Sequence, residues 1–151
     1  MAKDVQARVT MFIQAPPEEV YAAFIEPQQL TKFWLSKVSG PLNLGKAVHW
    51  NFMVEGAEID ATATKMEPGK KLAWKWSDKS TVSIDLEVLD GGTAITLING
   101  DFPQHGTERI EAALNATEGF SIVLADLKTL LETGTSAGIT KAKAKLIALR
   151  Q

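Results

Sequence analysis

Residues 48–76, VHWNFMVEGAEIDATATKMEPGKKLAWKW, decide the fold because they hold three stretches of strand-like sequence separated by two turn signals. The first turn signal is Glu55-Gly56 and the second is Pro68-Gly69. Short connections with glycine between such stretches are typical of antiparallel hairpins. The segment therefore predicts three neighbouring strands of one antiparallel sheet.

Turn length fixes how the strands of a hairpin pair. A two-residue turn at Glu55-Gly56 pairs Val54 with Ala57, and a turn over residues 67–70 pairs Met66 with Lys71. The pairs predicted from these turns are Trp50 with Ala61, Val48 with Ala63, Ala61 with Trp76 and Ala63 with Trp74. Large residues then flank an alanine in two adjacent rows, which predicts a hollow on the apolar face of the sheet. The tryptophans fit both a packed core and the lining of a pocket.

The same apolar face continues into the next two strands. A bulge or odd-length turn near residues 78–80 brings Val82, Ile84 and Leu86 onto it, and the turn at Asp90-Gly91 sets Leu86 opposite Ile95 and Ile84 opposite Leu97. The other face is polar and is expected to meet water. Its residues are His49, Asn51, Glu58, Asp60, Thr62, Thr64, Lys75, Asp85 and Glu87.

The sequence before this meander predicts one strand and two short helices. Apolar residues alternate from Val5 to Ile13, which is the period of a strand with one buried face. Pro16-Pro17-Glu18-Glu19 is a helix opening, and Pro27 ends that helix and begins a second one that carries Leu30, Phe33 and Trp34. Residues 36–41 predict a loop.

After Gly106 the pattern predicts one long helix that ends near Gly134. Its predicted apolar stripe is Ile110, Leu114, Thr117, Ser121, Leu124, Leu127 and Leu131. This helix is the one element large enough to cover the apolar face of the sheet. The prediction is an α+β fold in which a curved antiparallel sheet of about six strands wraps around a long C-terminal helix.

The last seventeen residues differ from the rest in charge. The overall net charge is −2, and the segment from Thr135 to Gln151 carries +4 with no acid, which leaves −6 for residues 1–134. We expect a domain of residues 1–134 and a basic tail or extra helix over residues 135–151. Two roles stay open for this segment. It can be a helix that docks on residues 1–134, or it can bind a membrane surface or a second subunit.

Composition excludes several classes of function. The negative net charge of residues 1–134 argues against nucleic acid as the main partner. No apolar run approaches the roughly 20 residues that span a bilayer, and the first residues lack the apolar region of a secretory signal. The 151 residues include no cysteine, so disulfides and thiolate metal sites are excluded. These features predict a cytoplasmic protein without a transmembrane segment.

The order of elements resembles the START/Bet v 1-like (SRPBCC) superfamily, with its helix-grip fold. Within it, the chain is similar to the family named for the C-terminal domain of the activator of Hsp90 ATPase. The segments that carry this likeness are residues 13–24 (IQAPPEEVYAAF), Pro27, Phe33-Trp34, Gly45, His49-Trp50, residues 67–72 (EPGKKL), Trp74, residues 92–97 (GTAITL) and residues 118–132 (EGFSIVLADLKTLLE). Where family members often have Gly-Trp in the last helix, this chain has Gly119-Phe120.

The resemblance implies a cavity between the sheet and the long helix that accepts an apolar or amphipathic small molecule, such as a lipid. The residues expected to contact this ligand are Trp34, Trp50, Phe52, Trp74, Trp76, Leu97, Phe120 and Leu124. Two other functions stay open: a protein-interaction module related to the Hsp90 activator, and an enzyme of the polyketide cyclase type. Hsp90 co-chaperones carry a separate N-terminal domain for chaperone contact, so chaperone contact is not expected here.

Catalytic and metal sites are not predicted. His49 and His105 are not at ligand spacing from each other or from a carboxylate motif, so no metal and no cofactor are expected. Asp60, which is predicted to lie opposite Asn51, and Glu58 are the carboxylates that could form an acid–base pair. Strand alternation places both on the water-facing side of the sheet, where burial cannot shift their pKa values. A homodimer is possible through the basic tail.

Overall fold

The structure is a computed structural model that describes residues 5–151. Seven antiparallel strands form one sheet in the order β1-β7-β6-β5-β4-β3-β2. The strands are β1 (Ala7–Ile13), β2 (Leu35–Val38), β3 (Ala47–Phe52), β4 (Glu58–Glu67), β5 (Lys71–Trp76), β6 (Thr81–Leu89) and β7 (Gly92–Gly100). The helices are α1 (Pro17–Ala23), α2 (Pro27–Phe33), α3 (Gly106–Thr133) and α4 (Ile139–Leu149).

The predicted α+β helix-grip architecture is confirmed. The 28-residue helix α3 lies across the concave face of the sheet, and α1 and α2 follow the first strand. Both short helices begin with proline at the first helical position, where the missing N–H costs nothing. Helix α3 ends at Gly134, whose φ of 85° is the left-handed conformation that glycine adopts without strain.

The sheet has one strand more than the sequence indicated. Residues 36–38, predicted as part of a loop, belong to strand β2, which pairs with β3 at the edge of the sheet. Leu35 is completely buried, and the Ser36 hydroxyl donates to the carbonyl oxygens of Asn51 and Phe52. A four-residue edge strand with a register shift shows too little alternation to be recognised from its own sequence.

The predicted pairing of β3 with β4 is wrong by two residues. Trp50 pairs with Ile59 and Val48 with Ala61, and Asp60 lies opposite His49 rather than Asn51. The connection is longer than a two-residue turn, because the Phe52 N–H donates to the carbonyl oxygen of Ala57 across it. A shift of two residues leaves each side chain on its predicted face, so the inward and outward sets survive the error.

In the next hairpin the predicted turn is wrong, but the predicted alanine–tryptophan pairs between β4 and β5 are right. Glu67, not Met66, pairs with Lys71, and a β-bulge between Ala63 and Lys65 absorbs the extra residue. The confirmed pairs are Ala61 with Trp76, Ala63 with Trp74, Leu86 with Ile95 and Ile84 with Leu97.

Helix α3 does not bury the whole stripe that its sequence predicted. Leu124 and Leu127 are buried, but Ile110 and Leu114 are 51% and 65% exposed. In this half of the helix the residues that face inward are small, with Ala113 buried and Gly119 beside open space. The inward face therefore leaves room between the helix and the sheet at this end of the molecule.

Close packing between β1 and β7 requires glycine at position 92. A Cβ added to Gly92 would lie 2.7 Å from the ring of Phe12 and 2.8 Å from the carbonyl oxygen of Ile13. Nearby, the Lys128 ammonium donates to the Phe12 carbonyl oxygen at 2.9 Å, and the Gln14 N–H donates to the Glu132 carboxylate at 2.8 Å. These two hydrogen bonds attach the C-terminal half of α3 to the end of β1.

Candidate functional site

A continuous cluster of aromatic rings fills the interior between the sheet and α3. Trp50 is fully buried within it, with its ring centroid 5.1 Å from that of Trp34 and 5.4 Å from that of Trp74. The cluster then continues to Trp76 and Phe120, whose rings are stacked at 6.0 Å with an interplanar angle of 14°. It therefore runs from the closed core to the end of the molecule where α3 turns its small residues inward.

An open cleft of about 410 Å³ lies at that end, between α3, α4 and the β3–β4 connection. We call it the α4 cleft. Its lining residues are Trp34, Phe52, Met53, Val54, Ala57, Trp76, Asn99, Asn115, Ala116, Gly119, Phe120, Ile122, Val123, Thr140, Lys143 and Ala144. Most of these side chains are apolar, which is the character of small-molecule sites in general.

The eight residues predicted to contact a ligand divide into two groups. Trp34, Phe52, Trp76 and Phe120 line the α4 cleft. The other four, Trp50, Trp74, Leu97 and Leu124, have no exposed surface and belong to the packed core. Ligand contact stays a prediction for all eight. The hollow expected over Ala61 and Ala63 is filled, since both alanines are at most 1% exposed and neither lines the cleft.

Several cleft residues carried no recognisable signal in the sequence. Met53, Val54 and Ala57 reach the cleft because the β3–β4 connection is longer than a tight turn. Thr140, Lys143 and Ala144 reach it because α4 packs against α3. No pattern in the sequence marks this face of α4 as the one that docks on α3.

Two polar groups at the α4 cleft are buried and unsatisfied. The indole Nε1 of Trp76 and the hydroxyl of Thr140 have no hydrogen-bond partner within residues 5–151. An unsatisfied buried polar group costs about 1–3 kcal/mol. The indole Nε1 atoms of Trp50 and Trp74, in the closed core, are unpartnered in the same way, and what distinguishes Trp76 and Thr140 is that both residues line the cleft.

Helix α4 is held over the cleft by a buried carboxylate of α3. Asp126 is 1% exposed, and it accepts hydrogen bonds from the Ser136 hydroxyl at 2.5 Å and from the Thr140 N–H at 3.0 Å. Glycine precedes the helix as its N-cap and supplies no side-chain acceptor. Asp126 therefore caps the start of α4 from another helix. Further along, the Lys143 ammonium lies 3.1 Å from the Glu118 carboxylate.

The outer face of the sheet carries a histidine between two carboxylates. His49 Nδ1 lies 2.6 Å from Asp60 Oδ1, and Nε2 lies 3.0 Å from Glu58 Oε1. All three side chains are about half exposed, so they stay outside, as the alternation predicted. The hydrogen bond with Asp60, above all, and the weaker one with Glu58 raise the pKa of His49 above its ordinary range.

We expect a nuclear magnetic resonance titration to show this raised pKa of His49 directly. Asp60→Asn should lower the pKa more than Glu58→Gln, because the bond with Asp60 is the largest contribution. The ion pairs stabilise the fold fully below the pKa of His49 in the unfolded chain. That contribution disappears as the pH rises through the higher folded pKa. An unshifted His49, or equal effects of the two substitutions, would contradict this assignment.

Within residues 5–151, no group of three or more His, Cys, Asp or Glu side chains is arranged to hold a metal ion. The two nitrogens of His49 face different carboxylates, so this cluster is an ion-pair network.

None of the helices described between residues 5 and 151 combines the length and apolarity that crossing a bilayer requires.

Comparison with known proteins places this architecture among solved structures. Protein SSP2350 from Staphylococcus saprophyticus is 27% identical, with a TM-score of 0.75 over 87% of this chain and 94% of that one. The Aha1 dimer from Colwellia psychrerythraea is 23% identical, with a TM-score of 0.76 over 86% of this chain and 98% of that one. DynU16, from the dynemicin biosynthetic locus, is 22% identical, with a TM-score of 0.77 over 88% of this chain and 49% of that one.

No curated protein matches the sequence. A family profile does match, and its description is Activator of Hsp90 ATPase homolog 1-like protein. The match covers residues 14–132, from the end of β1 to the end of α3. The chain therefore belongs to the Activator of Hsp90 ATPase homolog 1-like protein family.

Proposed function

We propose that this protein is a cytosolic binding module that holds an apolar or amphipathic small molecule in the α4 cleft. Trp34, Phe52, Trp76 and Phe120 are the predicted contact residues that border the cleft. The observation that carries the proposal is the conjunction of an apolar cleft with two buried, unpartnered polar groups, on Trp76 and Thr140. A volume of about 410 Å³ is within the usual range of small-molecule sites.

The second candidate is a protein-interaction module related to the Hsp90 ATPase activator. The observation that favours it is the filled interior around Ala61, Ala63 and Trp74, which leaves no room for a ligand in the centre of the grip. A homodimer stays a prediction for this chain, as does the division into a domain of residues 1–134 and an appended segment of residues 135–151. The relative from Colwellia psychrerythraea was solved as a dimer.

An enzyme of the polyketide cyclase type has less support. Acid–base catalysis needs a titratable group within reach of the substrate. Lys143 is the one titratable side chain in the lining of the α4 cleft, and it is paired with Glu118. The likeness to DynU16, at 22% identity, carries the fold alone.

Fluorescence titration with N-phenylnaphthylamine, an uncharged apolar probe, tests the binding proposal. The probe should gain emission on binding the full chain, and Gly119→Leu should abolish the gain because the leucine fills the cleft. A Cβ at Gly119 meets nothing within 4 Å among the described residues, and replacing a helical glycine favours the helix by roughly 0.8 kcal/mol. Loss of binding would therefore not reflect loss of the fold.

Ser121→Leu provides the matched control. It places the same side chain on an exposed position of α3, two residues away from Gly119, and should leave probe binding unchanged. A wild-type chain that does not bind the probe, or a Gly119→Leu variant that binds it normally, would reject the α4 cleft as a ligand site.

A further inference from the structure

We infer that the ligand of the α4 cleft is an amphipathic anion, with its apolar body against Trp76 and Phe120 and its anionic group at Thr140 and Lys143. This inference rests on the proposed function and narrows it to one class of molecule. Carboxylates, sulfonates and phosphates on an apolar skeleton share the required chemistry.

The charge of the α4 cleft supports an anionic ligand. Lys143 is the one charged residue among the residues that line the cleft, and no Asp or Glu borders it. Its partner Glu118 is 59% exposed and approaches Lys143 from outside the lining. The segment that contributes Lys143 carries +4 and no acid. An anion in the cleft therefore meets the charge of Lys143 in its walls and competes for it with Glu118, which lies outside them.

Helix α4 offers hydrogen-bond donors to the anionic group of the ligand. Thr140, Lys143 and Ala144 are three and four residues apart, so they occupy one face of the helix, and all three line the cleft. The Thr140 hydroxyl is buried and has no partner in residues 5–151. A hydroxyl and an ammonium group both donate hydrogen bonds, and hydrogen bonds to an ionised acceptor are the strong ones.

The opposite wall supports an apolar body. Trp76 and Phe120 both line this wall with their rings stacked on each other, and the absence of a side chain at Gly119 leaves the space beside Phe120 open. Trp76 also brings its unpartnered indole N–H, which a single acceptor on the body of the ligand would satisfy. A fully apolar ligand would leave both Trp76 and Thr140 unsatisfied.

A pair of probes that differ by one charge tests the inference. Anilinonaphthalene sulfonate has the ring system of N-phenylnaphthylamine with an added sulfonate, so the ratio of their affinities reports the anionic site. The wild-type chain should prefer the sulfonate. Lys143→Met should weaken sulfonate binding by roughly three- to tenfold and leave the uncharged probe unchanged, as expected for loss of one partly exposed charge.

Two further variants separate a specific contact from general attraction to a basic helix. Lys145→Met removes an exposed charge of α4 that does not line the cleft, and it should leave both probes unchanged. Glu118→Gln removes the competing partner of Lys143 and should tighten binding of the sulfonate alone.

Each result supports or overturns the inference. The inference is wrong if the Lys143 and Lys145 variants lose sulfonate binding equally, or if neither variant loses it. Binding of the uncharged probe would still support the proposed function in either case. If the wild-type chain binds neither probe, the inference and the proposed function are both wrong.

Discussion

Trp74→Ala is expected to destabilise the fold by about 3–5 kcal/mol, which is the usual cost of removing a large buried aromatic side chain. Trp74 has no exposed surface. Its ring centroid lies 5.4 Å from that of Trp50, 6.0 Å from Trp76, 6.1 Å from Trp34 and 6.4 Å from Phe24. Alanine therefore creates a cavity bordered by four other rings, and these rigid neighbours cannot collapse to fill it.

Denaturant unfolding of the two proteins measures this loss as a lower midpoint with an unchanged slope. Trp74→Phe is the matched control, because it keeps an aromatic ring at this position, leaves a smaller cavity and should cost clearly less than the alanine variant. A loss below roughly 1.5 kcal/mol for the alanine variant would contradict the assignment of Trp74 to the packed core. Since domains are stable by only about 5–15 kcal/mol, the predicted loss removes a large share of the total.

The position of Trp74 also explains how far the sequence alone could lead. Turn signals and alternation were enough to pair Leu86 with Ile95, because hairpins are local and the side-chain period of a strand is two. Ala63 pairs with Trp74 as predicted only because the β-bulge after Ala63 offsets the one-residue error in the predicted turn. The same rules could not decide whether the aromatic face encloses a ligand. Aromatic side chains fill cores and pockets alike, and the choice depends on what α3 places opposite them.

Two of the errors concern residues whose surroundings come from other elements, which a local pattern does not encode. The two-residue turn at Glu55-Gly56 was locally reasonable, but Met53 and Val54 belong to a longer connection that borders the α4 cleft. Ile110 and Leu114 satisfy a helical stripe, yet they lie on the outer side of α3. Periodicity gives the faces of a helix without saying how the helix rotates against its sheet.

The cleft itself was the least predictable feature. It depends on α4, whose docking depends on Asp126, an acidic residue within an otherwise apolar part of α3. In a single sequence such a residue looks like an interruption of the stripe. Its role becomes visible only when the start of α4 is found 14 positions further along the chain, within hydrogen-bond distance of its carboxylate.

Asp126→Ala is expected to release α4 from the body of the protein. The carboxylate accepts one hydrogen bond from the Thr140 N–H and one from the Ser136 hydroxyl, which in turn accepts from the Gly138 N–H. Alanine leaves the first turn of α4 without its cap and the hydroxyl without its acceptor. Hydrogen bonds to a charged group contribute about 1.5–3 kcal/mol each, so we expect a loss of at least 2 kcal/mol, or roughly thirtyfold, in the docking of α4.

Amide hydrogen exchange followed by mass spectrometry separates this local release from global unfolding. Peptides from residues 139–149 should exchange at least about thirtyfold faster in the Asp126→Ala variant, while peptides from the sheet keep their protection. Glu118→Gln is the matched comparison, because it also breaks a contact between α3 and α4, but an exposed ion pair worth no more than about 1 kcal/mol. If the two variants exchange alike, Asp126 is not the residue that holds α4 in place. If α4 alone is released, one buried carboxylate controls the wall that carries Thr140 and Lys143, and probe affinity for the α4 cleft must fall with it.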